Sequence, residues 1–93
     1  MLYELHFSEE SIEDLKGLRA ADRATVLDQI EQVLTVNPKL ESKARVKLLR
    51  QPAPTTYRLR VDEVRVFYNV GESHVDIVRI LSKDASLKYL GSE

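Results

Sequence analysis

The chain has 93 residues, of which 43% are hydrophobic and 31% charged, as expected for one globular domain spanning residues 1–93. It has no cysteine, which excludes disulfides and thiolate metal sites. No apolar run is long enough to span a membrane and no signal peptide is visible, so a cytoplasmic location is expected. The net charge is −1, but residues 1–36 are acidic and residues 37–93 carry a net positive charge. This asymmetry predicts an anionic partner for the second half.

The first half predicts one strand followed by two helices. Apolar residues alternate from Leu2 to Phe7, as in a half-buried strand. Ser8 is a candidate N-cap for a first helix, and Asp22 for a second. The second helix should end before Pro38, which disfavours helical geometry in the residue preceding it. Two amphipathic helices in succession predict a helical hairpin that covers a sheet.

A basic segment follows the helices and leads into a loop. The segment is predicted to be a loop with a short extended stretch near residues 46–50. The prolines of residues 51–56 exclude regular structure in that range. Its basic residues are Lys39, Lys43, Arg45, Lys47 and Arg50.

A β-hairpin over residues 57–70 is the strongest pattern in the chain. If Asp62-Glu63 forms the turn, Arg60 lies opposite Arg65, and Arg58 shares their face of the sheet. Like charges placed opposite each other destabilise a sheet. Either the arginines therefore spread into water, or an anion lies between them. On this arrangement, loss of Arg65 is expected to leave folding unharmed.

One more strand and a tail complete the predicted fold. Residues 74–81 are β-branched and nearly continuously apolar, which is typical of a central strand. Residues 82–93 are expected to be a tail that carries Lys83 and Tyr89. The predicted fold is α+β, in the order β-α-α-β-β-β, with a helical hairpin packed on a mostly antiparallel four-stranded sheet.

Several chemistries find no support in the sequence. His6 and His74 are the only histidines and are not spaced as metal ligands, so no metal site is expected. The chain has no nucleophile motif and no glycine-rich phosphate loop, and no cofactor is expected. The remaining candidates are the basic residues of the second half together with Tyr89, which suit binding to a nucleic-acid backbone and stacking on a base.

Two stretches of the chain, "TYRLRVDEVRVFYNV" and "VDIVRILSKDASLKY", together with the run from "FSEESIEDLKGL" through "KLL", carry a family resemblance. In them the chain resembles the RelE/ParE family of toxins from type II toxin–antitoxin systems, most sharply in the first two. It implies a RelE-like fold, a cognate antitoxin as partner and a toxin–antitoxin hetero-oligomer. For the RNA-cleaving branch it further implies a metal-independent endoribonuclease that cuts mRNA on the ribosome and inhibits translation.

The resemblance also assigns site residues. Arg58, Arg60, Arg65, Lys83 and Tyr89 match the catalytic positions, although Lys83 stands where arginine is common. The basic segment from Lys39 to Arg50 would contact ribosomal RNA. Two alternatives stay open: a ParE-like poison of DNA gyrase, and a catalytically inactive member that only binds its antitoxin.

Overall fold

The structure is a computed structural model and describes residues 2–91. Its elements in chain order are β1 (Glu4–Phe7), α1 (Glu9–Lys16), α2 (Ala20–Gln29), β2 (Val46–Leu48), β3 (Tyr57–Val61), β4 (Val64–Val70), β5 (His74–Ser82) and α3 (Lys83–Tyr89). A π-helical segment, Ile30–Leu34, continues α2. The strands form one sheet in the order β1-β5-β4-β3-β2. The β1–β5 pair is parallel and the other three pairs are antiparallel.

The α+β class and the mostly antiparallel sheet are confirmed, but the sheet has five strands where four were predicted. The fifth is β2, which pairs with β3 at the edge of the sheet. Three residues are too few to show a period, so the extended stretch could not be identified as a paired strand from its own sequence. Within residues 2–91, no helix has the length and apolar character needed to cross a bilayer.

The first helix begins where the sequence predicts. Ser8 Oγ accepts a hydrogen bond from Ser11 N at 3.0 Å and donates one to Val78 O at 2.8 Å. The cap therefore also ties the start of α1 to β5. The second helix begins earlier than predicted, at Ala20, so that Asp22 lies in its first turn rather than at its cap.

The hydrophobic core lies between the helices and one face of the sheet, here called the covered face. Ile30 and Leu34 of the π-helical segment are fully buried there, together with Leu15 and Val26. The strands contribute mostly alternate residues to this core, and the alternation is interrupted between Ile77 and Ile80. The strand residues of the core are Val46, Leu59, Val61, Val64, Val66, Tyr68, Val75, Ile77 and Ile80. The residues between them point to the opposite face, because side chains alternate along a strand.

The β3–β4 hairpin has the predicted register. Val61 pairs with Val64, Arg60 with Arg65, and Leu59 with Val66. Asp62 takes a φ of +52°, in the left-handed region that aspartate tolerates better than most residues. This two-residue turn aligns the charged positions of both strands on the face opposite the core.

Candidate nucleic-acid interface

The face opposite the core, here called the arginine face, carries cross-strand rows of basic and aromatic residues. One row runs from β2 to β5: Lys47 pairs with Arg58, Arg58 with Phe67, and Phe67 with Arg79. The next row contains the Arg60–Arg65 pair. The structure thus brings the three predicted hairpin arginines together on one face.

Arg58 is a partly buried cation that forms no ion pair with any carboxylate among residues 2–91. Its Nε is buried and makes no hydrogen bond within residues 2–91. Burial lowers the pKa of the Arg58 guanidinium, and the positive charges of Arg65 and Arg60 lower it further. In the described part of the chain, no carboxylate forms an ion pair within 4.0 Å with any of these three arginines. An anion bound here would meet uncompensated positive charge.

Arg65 has a structural role that the sequence did not predict. Its exposed fraction is only 7%, and its Nη1 donates to Asp62 O at 2.8 Å and to Val64 O at 3.2 Å. Burial lowers its pKa, and so does the charge of Arg60. Because these bonds satisfy carbonyls of the hairpin turn, we now predict that loss of Arg65 destabilises the protein, whereas the sequence alone predicts that folding is unharmed.

Tyr89 belongs to a helix rather than to an unstructured tail. Ser82 Oγ caps α3 by accepting from Ala85 N at 3.1 Å. The Tyr89 ring meets Phe67 edge-on with 4.9 Å between centroids, and the guanidinium carbon of Arg79 lies 5.7 Å from the tyrosine centroid. Burial raises the pKa of Tyr89, although Arg79 opposes this shift. The hydroxyl is therefore protonated at neutral pH and suits hydrogen-bond donation better than proton abstraction.

Lys83 begins α3 next to the hairpin turn. Its backbone N donates to Glu63 O at 2.8 Å, and the preceding residue, Ser82, pairs with Val64. The exposed side chain of Lys83 therefore starts from the same end of the sheet as the Arg60–Arg65 pair.

Some residues of the basic segment lie at or near the arginine face, and the others lie elsewhere. Lys47 reaches the arginine face as the cross-strand partner of Arg58. Arg45 precedes β2 and lines a shallow cavity with Arg60. Lys39 instead follows Pro38, whose carbonyl accepts a hydrogen bond from the covered-face Tyr68. Lys43 and Arg50 are exposed residues outside the strands.

Arg79 is the member of the arginine face that sequence reasoning missed. The β4–β5 register shifts at Val78, so that Phe67 pairs with Arg79 but Tyr68 pairs with Ile77. Strict alternation from Ile77 would place Arg79 on the covered face, and the β-bulge reverses this. The apolar run around Arg79 contains no signal for the bulge.

Comparison with known proteins identifies the family. A sequence model described as the ParE toxin of the type II toxin–antitoxin system parDE matches residues 5–86. The chain belongs to this ParE toxin family. The family assignment agrees with the resemblance seen in the hairpin and in the segment after it. No curated protein sequence matches this chain significantly.

Solved structures share the fold at low sequence identity. A chain of the RelBE2 toxin–antitoxin complex from Mycobacterium tuberculosis is 22% identical, with a TM-score of 0.72, covering 88% of this chain and 99% of that one. A chain of the RelE–RelB complex from Pyrococcus horikoshii is also 22% identical, with a TM-score of 0.72 and coverage of 89% and 97%. A double mutant of E. coli toxin RelE in the free state is 17% identical, with a TM-score of 0.74 and coverage of 99% and 97%. These similarities establish a RelE-like fold.

Proposed function

We propose that this protein is the toxin of a toxin–antitoxin pair and that its arginine face binds and cleaves mRNA on the ribosome. The observation that carries the proposal is the cluster of Arg58, Arg60 and Arg65, which has no carboxylate partner within residues 2–91. The guanidinium of Arg58 is partly buried beside two further positive charges, so a bound anion would offset its cost, and RNA phosphates fit the geometry of guanidinium groups.

The proposed reaction is phosphoryl transfer within the RNA. The ribose 2′-oxygen attacks the adjacent phosphorus while the bond from phosphorus to the 5′-oxygen breaks, leaving a cyclic phosphate. The 2′-hydroxyl proton passes to water or to an RNA group, because arginine is a poor base. Water or the Lys83 ammonium gives a proton to the 5′-oxygen as it leaves. The nucleophile belongs to the substrate, so catalysis consists mainly of orientation and charge stabilisation.

The residues of the arginine face take different roles in this scheme. Arg58 and Arg60 stabilise the negative charge that develops on the phosphate oxygens. Arg65 holds the turn that positions Arg60, through its bonds to Asp62 O and Val64 O. Lys83 binds a flanking phosphate, and the protonated Tyr89 hydroxyl donates a hydrogen bond to the RNA. Lys47 extends the phosphate-binding surface to the sheet edge, and the rest of the basic segment contacts ribosomal RNA.

The test is cleavage of ribosome-bound mRNA, mapped by primer extension. Arg60→Gln should lower the cleavage rate by about 100-fold or more, as expected when one transition-state donor is removed. Arg19→Gln is the matched control, since Arg19 is an exposed arginine with 86% side-chain exposure before α2. Equal rates for the parent and Arg60→Gln would contradict the proposal.

RNA affinity gives a second, independent measurement. Each phosphate contact with single-stranded RNA contributes about −0.7 to the slope of log K against log salt. Arg60→Gln and Lys47→Gln should each make the slope shallower by about that amount, while Arg19→Gln should leave it unchanged. An unchanged slope in all three variants would place the RNA elsewhere.

Poisoning of DNA gyrase is the second candidate function. The match to a ParE toxin model favours it, because the ParE branch acts by binding gyrase and needs no catalytic residues. Protein synthesis and plasmid supercoiling should be followed together after induction. The RNA-cleavage proposal expects protein synthesis to fail first, and loss of supercoiling before translation slows would favour gyrase.

We further propose that the antitoxin occupies an apolar groove beside the end of the second helix. Val33, Val36, Leu40 and Val46 line it, and Val36 and Leu40 have exposed fractions of 49% and 65%. Acidic antitoxin residues would meet the arginine face.

The product of the neighbouring gene should co-purify with the chain and relieve growth arrest. Leu40→Asp should abolish this binding, whereas Leu87→Asp on α3, at 52% exposure, should not. Equal binding by both variants would exclude the groove.

A further inference from the structure

Two histidines and a carboxylate meet where β1 pairs with β5. The parallel register places Glu4 beside His74 and His6 beside Asp76. The two imidazole rings stack, with 5.0 Å between centroids and 18° between planes. Leu5, Val75 and Ile77 alternate with these residues and pack with the core, so the polar set projects away from it.

The donor atoms of this set are close enough to share a metal ion. His6, His74 and Asp76 each offer one ligand atom, and these atoms lie within 4.8 Å of one another. Ligand atoms bound tetrahedrally at zinc bond lengths lie about 3.4 Å apart. A modest rotation of each side chain would bring the three donor atoms to that spacing. The three side chains are 36% to 49% exposed, which leaves room for that rotation.

Glu4 orients one of the two imidazoles. Its Oε1 lies 2.6 Å from His6 Nε2, while His6 Nδ1 faces Asp76 Oδ1 at 3.7 Å. If Nε2 carries the proton and donates it to Glu4, Nδ1 presents its lone pair toward Asp76. A carboxylate that accepts from the second nitrogen of a ligating histidine is the usual outer partner of a metal site.

Gly71 positions the other imidazole. His74 Nε2 lies 3.2 Å from Asp76 Oδ2. A Cβ placed on Gly71 would lie 2.2 Å from His74 Cε1, so the ring occupies space that only glycine leaves open. The backbone at Gly71 does not need the left-handed conformation, since Gly91 is the glycine with positive φ among the described residues. Alanine at position 71 would therefore move the ring rather than strain the turn.

The geometry points to a divalent transition-metal site formed by His6, His74 and Asp76, with Glu4 as outer partner and water as the fourth ligand. Two imidazole nitrogens and one carboxylate oxygen suit Zn²⁺. The ion would clamp β1 to β5 at the parallel edge of the sheet. This site is independent of the RNA-cleavage proposal. The histidines are distant along the chain, so their spacing predicted no metal site, and the parallel strand pairing brings them together.

The test is zinc binding by tag-free protein that has been stripped with a chelator and desalted. Calorimetric titration with zinc chloride should give one ion per chain. His6→Gln, His74→Gln and Asp76→Asn should each weaken binding by more than about 100-fold, because even outer partners contribute 10- to 100-fold. Glu4→Gln should weaken it by about tenfold. Asp28→Asn is the control, since Asp28 is an exposed carboxylate of α2 whose oxygens accept hydrogen bonds from Gln32 Nε2.

Gly71→Ala tests whether zinc binding depends on the position in which the fold holds the His74 ring. It keeps every ligand but displaces the His74 ring, so zinc affinity should fall while circular dichroism stays unchanged. Zinc should also raise the thermal unfolding midpoint of the parent but not that of His74→Gln. Parent protein that binds zinc no more tightly than the His6→Gln/His74→Gln double variant would overturn the proposal, as would unchanged affinity in His74→Gln.

Discussion

Asp14 of α1 and Arg79 of β5 form a two-point ion pair across the edge of the sheet. Arg79 Nε lies 2.8 Å from Asp14 Oδ2, and Nη2 lies 3.1 Å from Oδ1. Asp14 Oδ2 also accepts a hydrogen bond from the backbone N of Ile80 at 2.9 Å. The hydrogen bonds between the Arg79 and Asp14 side chains raise the pKa of Arg79, and the pair holds its guanidinium near the Tyr89 ring. One carboxylate therefore joins the helical layer, the strand and the arginine face.

Loss of this carboxylate should destabilise the protein. Asp14→Ala leaves Arg79 and the amide of Ile80 without a partner, and should lower the free energy of unfolding by about 2–3 kcal/mol. Glu13→Ala is the control, because Glu13 pairs with Lys16 at the surface, where such pairs contribute less than about 1 kcal/mol. Urea denaturation measures both variants. Equal losses would show that the Asp14–Arg79 pair contributes no more than a surface pair.

Arg58 and Arg65 should respond oppositely to replacement by methionine. Arg58→Met removes a buried, unbonded Nε and relieves repulsion, so stability should stay equal or rise by about 1 kcal/mol. Arg65→Met leaves the carbonyls of Asp62 and Val64 without their donor and should cost about 2 kcal/mol. Chemical denaturation compares the two variants. A larger loss for Arg58→Met would contradict this assignment of roles.

Tyr68 should make stability depend on alkaline pH. Its hydroxyl donates to Pro38 O at 2.6 Å, and burial raises its pKa well above the ordinary value. The unfolded chain loses this proton near pH 10, whereas the folded chain keeps it. The free energy of unfolding should therefore be fully present below about pH 10 and should decrease as pH rises further. Tyr68→Phe should cost about 1–2 kcal/mol at neutral pH by leaving the carbonyl unpaired, and should flatten this decline.

The control for this prediction is Tyr57→Phe. Tyr57 stacks on Tyr68 with 5.5 Å between ring centroids but is only partly buried. Its variant should keep both the neutral-pH stability and the alkaline decline. Unfolding curves between pH 7 and 11 compare the two variants. An alkaline decline that survives in Tyr68→Phe would assign the effect to another group.

Two substitutions of Tyr89 distinguish a packing role of this residue from a role in RNA cleavage. Its hydroxyl makes no hydrogen bond among residues 2–91, so Tyr89→Phe should keep the contacts with Phe67 and Arg79 and change stability little. Tyr89→Ala should destabilise the protein by about 2 kcal/mol. If the hydroxyl donates to RNA, both variants should lose mRNA cleavage at equal folded concentration. Full activity in Tyr89→Phe would restrict the residue to packing or stacking.

Sequence alone determined the elements whose signals are local. The alternation of residues 57–68 around Asp62-Glu63 predicted the hairpin register and the shared face of Arg58, Arg60 and Arg65. Ser8 before Glu9 and Glu10 predicted the start of α1, because capping depends on residues within one turn. The hairpin and the segment after it also carried the family resemblance.

The tertiary structure alone decided which residues meet across the sheet. The bulge at Val78 turns Arg79 to the arginine face, and the parallel β1–β5 pairing brings His6 to His74. Arg65 became buried, and α3 placed Tyr89 on Phe67. None of these relationships has a local signal, because each depends on strand register, bulges and packing between segments far apart in the chain.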